Sequence, residues 1–347
     1  MFKKLTIPLL LLMTGCAAPM DYSFSPNFNV EKGQFEHPEG DKSDKGIFDL
    51  FGLAFKFLGR EDDEWEDKGF PVVSSDKSSL EGFSENMIWV GQSTILLNHN
   101  NVTVLTDPHF GNRASPFSFM GPKRLTPPPF TVADLPKIDV VLISHNHFDH
   151  LDEDTIVELS KLQPNIKYFV PLGLASTLKD WGAEDVVELD WWQPFQYENV
   201  EIQATPVQHW SKRSLFDRNK TLWAGWMMRW DEFSFYFAGD SGYSNDFKET
   251  AQRLGSPTVA AIPIGAYEPR EFMKGAHMNP EEAVKVFSDL GAQYAVGIHW
   301  GTFKLTLETM DEPPLLLEES LIEKGVSTQS FRALRHGEQW KEPFFPD

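Results

Sequence analysis

Hydrophobic positions change their rhythm along the chain, and the rhythm predicts the elements. Before about Leu80 they form scattered clusters among Pro, Gly, Ser and charged residues. After it, short apolar runs follow one another between turn formers. Residues 87–90, 93–98 and 102–106 read as strands, with His99-Asn100-Asn101 as a turn between the last two. Residues 138–144 are an apolar run with the length of a buried strand. Residues 155–162 set Ile156, Leu159 and Leu162 on one helix face. A strand at 166–170 and a helix at 173–181 follow.

The second half repeats this grammar. Strands are expected at 200–205, 222–230 and 233–238, a helix at 246–254 and a strand at 258–264. Asn279-Pro280-Glu281-Glu282 opens a helix with a capping Asn, Pro in the first turn and early acids. Gly291 ends that helix. A strand at 293–298 and a helix at 314–324, stopped by Gly325, complete the order. Two halves of this kind predict an α/β fold with two sheets and helices outside them.

Composition narrows the picture. The chain has 347 residues, 41% apolar and 24% charged, an ordinary balance for a globular core. Its formal charge of −20 excludes a nucleic acid as the main partner, because phosphate neutralisation needs a basic surface. A phosphate-bearing substrate remains compatible, since a metal ion can supply local positive charge. The lone cysteine, Cys16, excludes a disulfide framework.

Lys3 and Lys4, an apolar run at 5–13 and Met13-Thr14-Gly15-Cys16 resemble a bacterial lipoprotein signal. The expectation is a signal peptide at 1–15 and a mature chain held on an envelope membrane by lipidated Cys16. Ala17 points to the periplasmic face of the outer membrane if the bacterium has two membranes. Residues 16–80 are read as a tether and N-terminal extension, with the acidic run 61–67 solvated. Within it, 47–58 is apolar over most of a helix surface and packs on the main domain or touches lipid. Residues 81–347 form the main domain.

The chemistry concentrates in His145-Asn146-His147-Phe148-Asp149-His150, directly after the apolar run 138–144. Three imidazoles and a carboxylate in six positions suit Zn²⁺ and similar ions. A two-metal site needs further ligands. His209, Asp240 in Gly239-Asp240-Ser241-Gly242, and His299 each follow an expected strand. Strand ends are where layered α/β folds gather functional residues.

This constellation resembles the metallo-β-lactamase fold superfamily of dinuclear hydrolases. Longer strings are similar to its N-acyl-phosphatidylethanolamine-hydrolysing phospholipase D branch. They include Leu105-Thr106-Asp107-Pro108, Gly121-Pro122-Lys123-Arg124, Asp190-Trp191-Trp192, Gln208-His209-Trp210-Ser211-Lys212-Arg213 and His299-Trp300-Gly301-Thr302-Phe303. The resemblance runs from about Phe83 to the C-terminus. It implies a four-layer αββα sandwich with hydrolase activity in 81–347. It implies two zinc ions, one on His145, His147 and His209, the other on Asp149, His150 and His299, bridged by Asp240. A hydroxide shared by the ions would then cleave a phospholipid phosphodiester. The resemblance also implies a homodimer.

Asp149, His277 and Asp107 are the expected catalytic residues. Asp107 either orients a metal-bound histidine or only forms an Asp-Pro turn. His277, just before a helix start, hydrogen-bonds a substrate oxygen, protonates the leaving group, or is an ordinary loop histidine. The proline-studded stretch 107–137 is long enough to be functional, and its Phe117, Phe119, Met120 and Phe130 line a groove or form a rigid cover. Trp191, Trp192, Trp210, Trp223, Trp226 and Trp230 are expected mostly in the core. Alternatives to the phospholipase reading are hydrolysis of another phosphodiester, a lactone or an ester, and a non-catalytic metal-binding lipoprotein.

Overall fold

Two seven-stranded mixed sheets share one core. The first runs β16 (Gln339–Trp340), β3 (Asn86–Gly91), β4 (Thr94–His99), β5 (Val102–Thr106), β6 (Val140–Leu142), β7 (Lys167–Pro171), β8 (Asp185–Leu189). The second runs β15 (Phe331–Arg332), β14 (Tyr294–Ile298), β13 (Val259–Pro263), β12 (Ser234–Phe237), β11 (Gly225–Arg229), β10 (Val200–Thr205), β9 (Pro194–Tyr197). In each sheet, antiparallel pairs on one side give way to parallel pairs on the other. The two halves are thus alike, as the sequence rhythm predicts. The computed structural model describes residues 21–40, 42, 69–73 and 80–341. The expected signal with Cys16, the apolar segment 47–58 and the acidic run 61–67 lie outside the described residues.

Strand periodicity explains the layering. In β3, Met87 and Trp89 face the core between the sheets, while Ile88 and Val90 face outward. Val140 and Leu142 of β6 point inward and Val141 outward, so even the central strands are apolar on both faces. The outward set is covered by α1 (Glu153–Leu162) and α2 (Ala175–Asp180) through Ile156, Leu159 and Leu178. The second sheet is covered by α3 (Asp246–Leu254), α5 (Pro280–Leu290) and α6 (Glu312–Lys324), with the short α4 (Arg270–Met273) between α3 and α5 in sequence. The order of layers is helix, sheet, sheet, helix, in agreement with the expected α/β sandwich. Among the described residues no helix is long and apolar enough to cross a membrane.

Local signals account for the best-placed helix. The Asn279 side chain accepts a hydrogen bond from Glu282 N at 3.0 Å, Pro280 occupies the first turn, and Gly291 closes the helix at φ 63°. Such a cap contributes about 1 kcal/mol.

Residues 21–40, part of the stretch read as a tether and N-terminal extension, are docked on the sandwich. β1 (Phe28–Asn29) and β2 (Gln34–Phe35) pair as a small hairpin. Phe35 is fully buried, with Phe28 and Tyr22 packed at ring separations of 5.0 and 5.4 Å. His37 Nε2 lies 3.0 Å from Asp246 Oδ2, and Asn27 Nδ2 donates to Asp190 Oδ1. Three aromatic side chains in so short a stretch bury too much surface to remain solvated.

Candidate metal centre

The parallel strands of both sheets end on the same edge of the molecule, and the chemistry sits there. The loop 145–150 follows β6. Asp107 follows β5, His209 follows β10, Asp240 follows β12 and His299 follows β14. His277 enters from the segment between α4 and α5.

Two groups of donors converge. His147 Nδ1 lies 2.8 Å from His145 Nε2 and 3.3 Å from His209 Nε2. Asp149 Oδ2 lies 3.3 Å from His150 Nε2 and 3.0 Å from His299 Nε2. Asp240 joins the groups: its Oδ2 is 3.0 Å from His150 Nε2, 3.1 Å from His299 Nε2, and 3.9 Å from both His145 Nε2 and His209 Nε2. His277 Nδ1 is also 3.9 Å from that oxygen. All seven residues expected as ligands are therefore brought together, with His277 beside them.

The donor set fits divalent cations. Ligand atoms on a tetrahedral zinc ion, bonded at about 2.0–2.1 Å, stand about 3.3 Å apart. The two separations within the trio, 2.8 and 3.3 Å, are close to that spacing. Among the described residues, Asp240 Oδ1 and His277 Nδ1 are buried without a hydrogen-bond partner, a costly arrangement unless something else binds there.

Outer contacts fix the rings. Asp107 Oδ2 is 2.7 Å from His150 Nδ1 and accepts from Ser144 Oγ at 2.5 Å, while its Oδ1 accepts from Ser144 N at 2.7 Å. The carboxylate thus holds His150 with Nε2 toward the site, an orienting contact and more than a turn. The Ala276 carbonyl lies 3.0 Å from His209 Nδ1 and does the same for that ring.

Gln92 is the residue that sequence reasoning missed. Its Nε2 donates to Asp149 Oδ2 at 2.9 Å, and its carbonyl accepts from His299 N at 2.8 Å. It sits at φ 50° in the turn between β3 and β4, where the pairing is irregular. A neutral amide in a turn carries no ligand signature, so nothing in composition marks it.

Backbone strain accompanies the site. Asp107 and His299 hold φ of 32° and 64°, unusual for residues with a Cβ. The His299 turn is possible because Gly265 faces it: a Cβ on Gly265 would lie 2.2 Å from His299 O.

Charge divides the groups. Burial pushes the His147 imidazole down to about 3, and burial with the neighbouring histidines holds His145 well below its ordinary value. His209 is likewise lowered by burial. In the other group, burial opposes charge, but Asp240 and Asp149 prevail: His299 rises to about 9 and His150 rises well above the ordinary histidine value. The same pairing overcomes burial at Asp149 and Asp240, whose carboxyls fall well below the usual range. His277 is lowered to about 4 by burial, so it is neutral near pH 7.

Of the tryptophans, Trp191, Trp223, Trp226 and Trp230 are buried and Trp192 is half-buried. Trp210 is at the site, its ring 4.4 Å from that of His147. Phe130 is buried, whereas Phe117, Phe119 and Met120 are exposed.

Comparison with known proteins agrees with this architecture. The family model described as "Beta-lactamase superfamily domain" matches residues 102–300. The chain is 41% identical over 315 residues to N-acyl-phosphatidylethanolamine-hydrolyzing phospholipase D 1 of Caenorhabditis elegans, covering 85% of this chain and 88% of that protein. It is 39% identical to the mitochondrial N-acyl-phosphatidylethanolamine-hydrolyzing phospholipase D of Saccharomyces cerevisiae, over 66% of this chain and 50% of that protein. Among solved structures, the metallo hydrolase Igni18 of Ignicoccus hospitalis is similar in fold, with a TM-score of 0.56 and 20% identity over 74% of this chain and 97% of that one.

Proposed function

The chain belongs to the metallo-β-lactamase superfamily, in its N-acyl-phosphatidylethanolamine-hydrolysing phospholipase D-like branch, and is a metal-dependent hydrolase; from that premise we propose that it is a zinc phosphodiesterase converting N-acyl-phosphatidylethanolamine to phosphatidic acid and N-acylethanolamine. The observation that carries the chemistry is the single oxygen, Asp240 Oδ2, within 3.9 Å of histidines from both donor groups. The substrate rests on the likeness to the phospholipase over 85% of the chain.

In this reading His145, His147 and His209 hold one zinc ion, Asp149, His150 and His299 hold the second, and Asp240 stands between them. Bound there, the ions would supply a water acidified to a pKa of about 7 and a clamp for the phosphoryl oxygens. The oxygen of water forms a bond to phosphorus, the bond from phosphorus to the ethanolamine oxygen breaks, and the departing alcohol takes up a proton. The chain's own groups do the positioning. Asp107 and Ala276 O fix the ring orientations of His150 and His209. Gln92 steadies Asp149 through its amide. His277, neutral at pH 7, is suited to donate a hydrogen bond to a substrate oxygen rather than to act as a strong acid. The reading also includes lipid attachment at Cys16 on a bacterial envelope membrane and a homodimer.

Product analysis by mass spectrometry tests the reaction. The zinc-loaded protein and its Asp149→Asn variant are incubated with N-acyl-phosphatidylethanolamine micelles. Phosphatidic acid and N-acylethanolamine should form with the first and not with the second. No product from folded, metal-loaded protein would remove the lipid assignment and turn the search to other phosphodiesters, lactones and esters.

A further inference from the structure

The N-terminal arm ends against the segments that present His209. Phe35, fully buried, anchors it there. Phe35 N donates to Asn219 O at 2.7 Å, and Asn219 Oδ1 accepts at 3.1 Å from the backbone N of Ser211, just after His209. Further along the arm, Gly40 O accepts at 3.2 Å from the side-chain Nε2 of Gln208, just before His209. The Lys42 carbonyl then lies against Gly275, where a Cβ would stand 2.0 Å from Lys42 O. Gly275 precedes Ala276, whose carbonyl lies 3.0 Å from His209 Nδ1. One short stretch thus touches the chain before His209, the chain after it and the chain that carries its orienting carbonyl.

These segments are also knit to one another. Gln208 N donates to Ser241 Oγ at 3.0 Å, Gly242 N to Gln208 O at 2.9 Å and Met278 N to Ser241 O at 2.9 Å. Gly242 packs so close to the 274–275 backbone that a Cβ on it would lie 2.8 Å from Lys274 O. A shift of the arm therefore passes to His209 through packed backbone, which has little room to absorb it.

His37 fixes the end of the arm. Its Nδ1 accepts from Glu39 N at 3.2 Å, which leaves Nε2 as the donor to Asp246 Oδ2, 3.0 Å away. Asp246 opens α3 and also accepts from Ser244 Oγ at 2.5 Å. His37 and Asp246 are both buried, so water does not compete for this bond. The other ligands are held from elsewhere. Arg213 Nη1 donates to Asn146 O and Leu151 O on the 145–150 loop, Asp107 orients His150, and Gln92 contacts Asp149 and His299. His209 is the ligand whose supports lead to the arm.

We propose that residues 35–40 with Lys42 brace the metal centre, and that His37 is a positioning residue: its hydrogen bond to Asp246 seats the arm, and the arm holds His209 in place to ligate. The proposal deepens the two-metal reading and rests on it, because the placement of His209 matters through the cation it would hold. Loss of contacts that orient a ligand from outside typically lowers metal affinity about 10–100-fold.

The test compares the full chain with His37→Leu, which keeps bulk and removes the donor, and with His37→Gln, whose amide keeps a donor toward Asp246. Hydrogen exchange is read first, on metal-free protein. In His37→Leu, peptides spanning 206–212 and 274–279 should exchange at least about tenfold faster, while those spanning 145–151 and 297–303 keep their rates. Zinc titration against a chelator follows: one equivalent should weaken about tenfold and the other hardly change. His37→Gln should restore both readings. Gln208→Leu breaks the contact with Gly40 O from the other side and should weaken the same equivalent, and the double variant should lose less than the product of the two losses. It carries the test alone if His37→Leu does not fold. Unchanged exchange, equal acceleration in all the peptides, equal loss of both equivalents or no rescue by Gln overturns the brace. Fewer than two zinc ions on the unaltered chain would instead remove the two-metal reading, and the exchange comparison would still decide the brace.

Discussion

The two halves of the metal centre are made of different chemistry. The trio of His145, His147 and His209 contains only imidazoles, all lowered by burial, His147 to about 3. The quartet of Asp149, His150, Asp240 and His299 contains two carboxylates, and its histidines are raised, His299 to about 9. The trio is a neutral donor set that takes up a cation without releasing a proton near pH 7. The quartet holds protons that a cation must displace, and its carboxylates supply the charge that retains the metal. If each group holds a metal, as proposed, the site combines a proton-indifferent position with a proton-coupled one.

Asp240→Asn attacks the comparison at its joint. It removes charge facing both groups, and activity should fall on the order of 10³-fold. Elemental analysis should find fewer than two zinc ions per chain. Two full equivalents in the folded variant would mean that Asp240 joins nothing.

Asp107→Asn should separate the halves. His150 loses its direct orienting carboxylate, whereas His145 reaches Asp107 only through Ser144 Oγ, so metal affinity should fall about 10–100-fold at the quartet and less at the trio. Chelator competition on the two sites would reveal this; an equal loss at both contradicts the division.

Gln92→Ala should be milder. The Asp149 carboxylate keeps its histidine partners and loses one amide, so kcat should drop about tenfold with two metals retained. Zinc loss from the trio in this variant would argue against the assigned contact.

The smallest effect is protonic. Because His299 is raised to about 9, metal binding at the quartet should release a proton between about pH 6.5 and 9 and strengthen as pH rises through that window. The trio should release none above about pH 6.5, since His147 is neutral there. In the metal-free protein the signs oppose. The contribution of His299 is complete below about pH 6.5 and is lost as pH rises through about 9. That of His147 is present above about pH 6.5 and is lost as pH falls toward about 3. Titration calorimetry in buffers of different ionisation enthalpy reads the difference; equal proton release from both sites would erase it.

Much of this was legible in the chain because the strong signals are local. Strands β5 and β10 and helix α3 fall where the apolar pattern sets them, and α5 starts and stops at its Asn and Gly caps. The candidate ligands were legible because imidazoles and carboxylates after apolar strands have few structural explanations. Edge strands were not: β8 is exposed or half-buried along most of its length and β9 starts at a proline, so neither alternates strongly. The docking of 21–40 depends on distant partners such as Asp190 and Asp246, which no local pattern announces. The partnership of Gln92 with Asp149 spans 57 residues and was hidden for the same reason.

Hydrolysis of N-acyl-phosphatidylethanolamine in ¹⁸O-labelled water tests the central claim most directly, because the label records which bond water attacks. The account predicts ¹⁸O in the phosphate of phosphatidic acid and none in the N-acylethanolamine. Label in a released fatty acid, or in the hydroxyl of the ethanolamine product, would contradict attack at phosphorus and with it the assigned reaction.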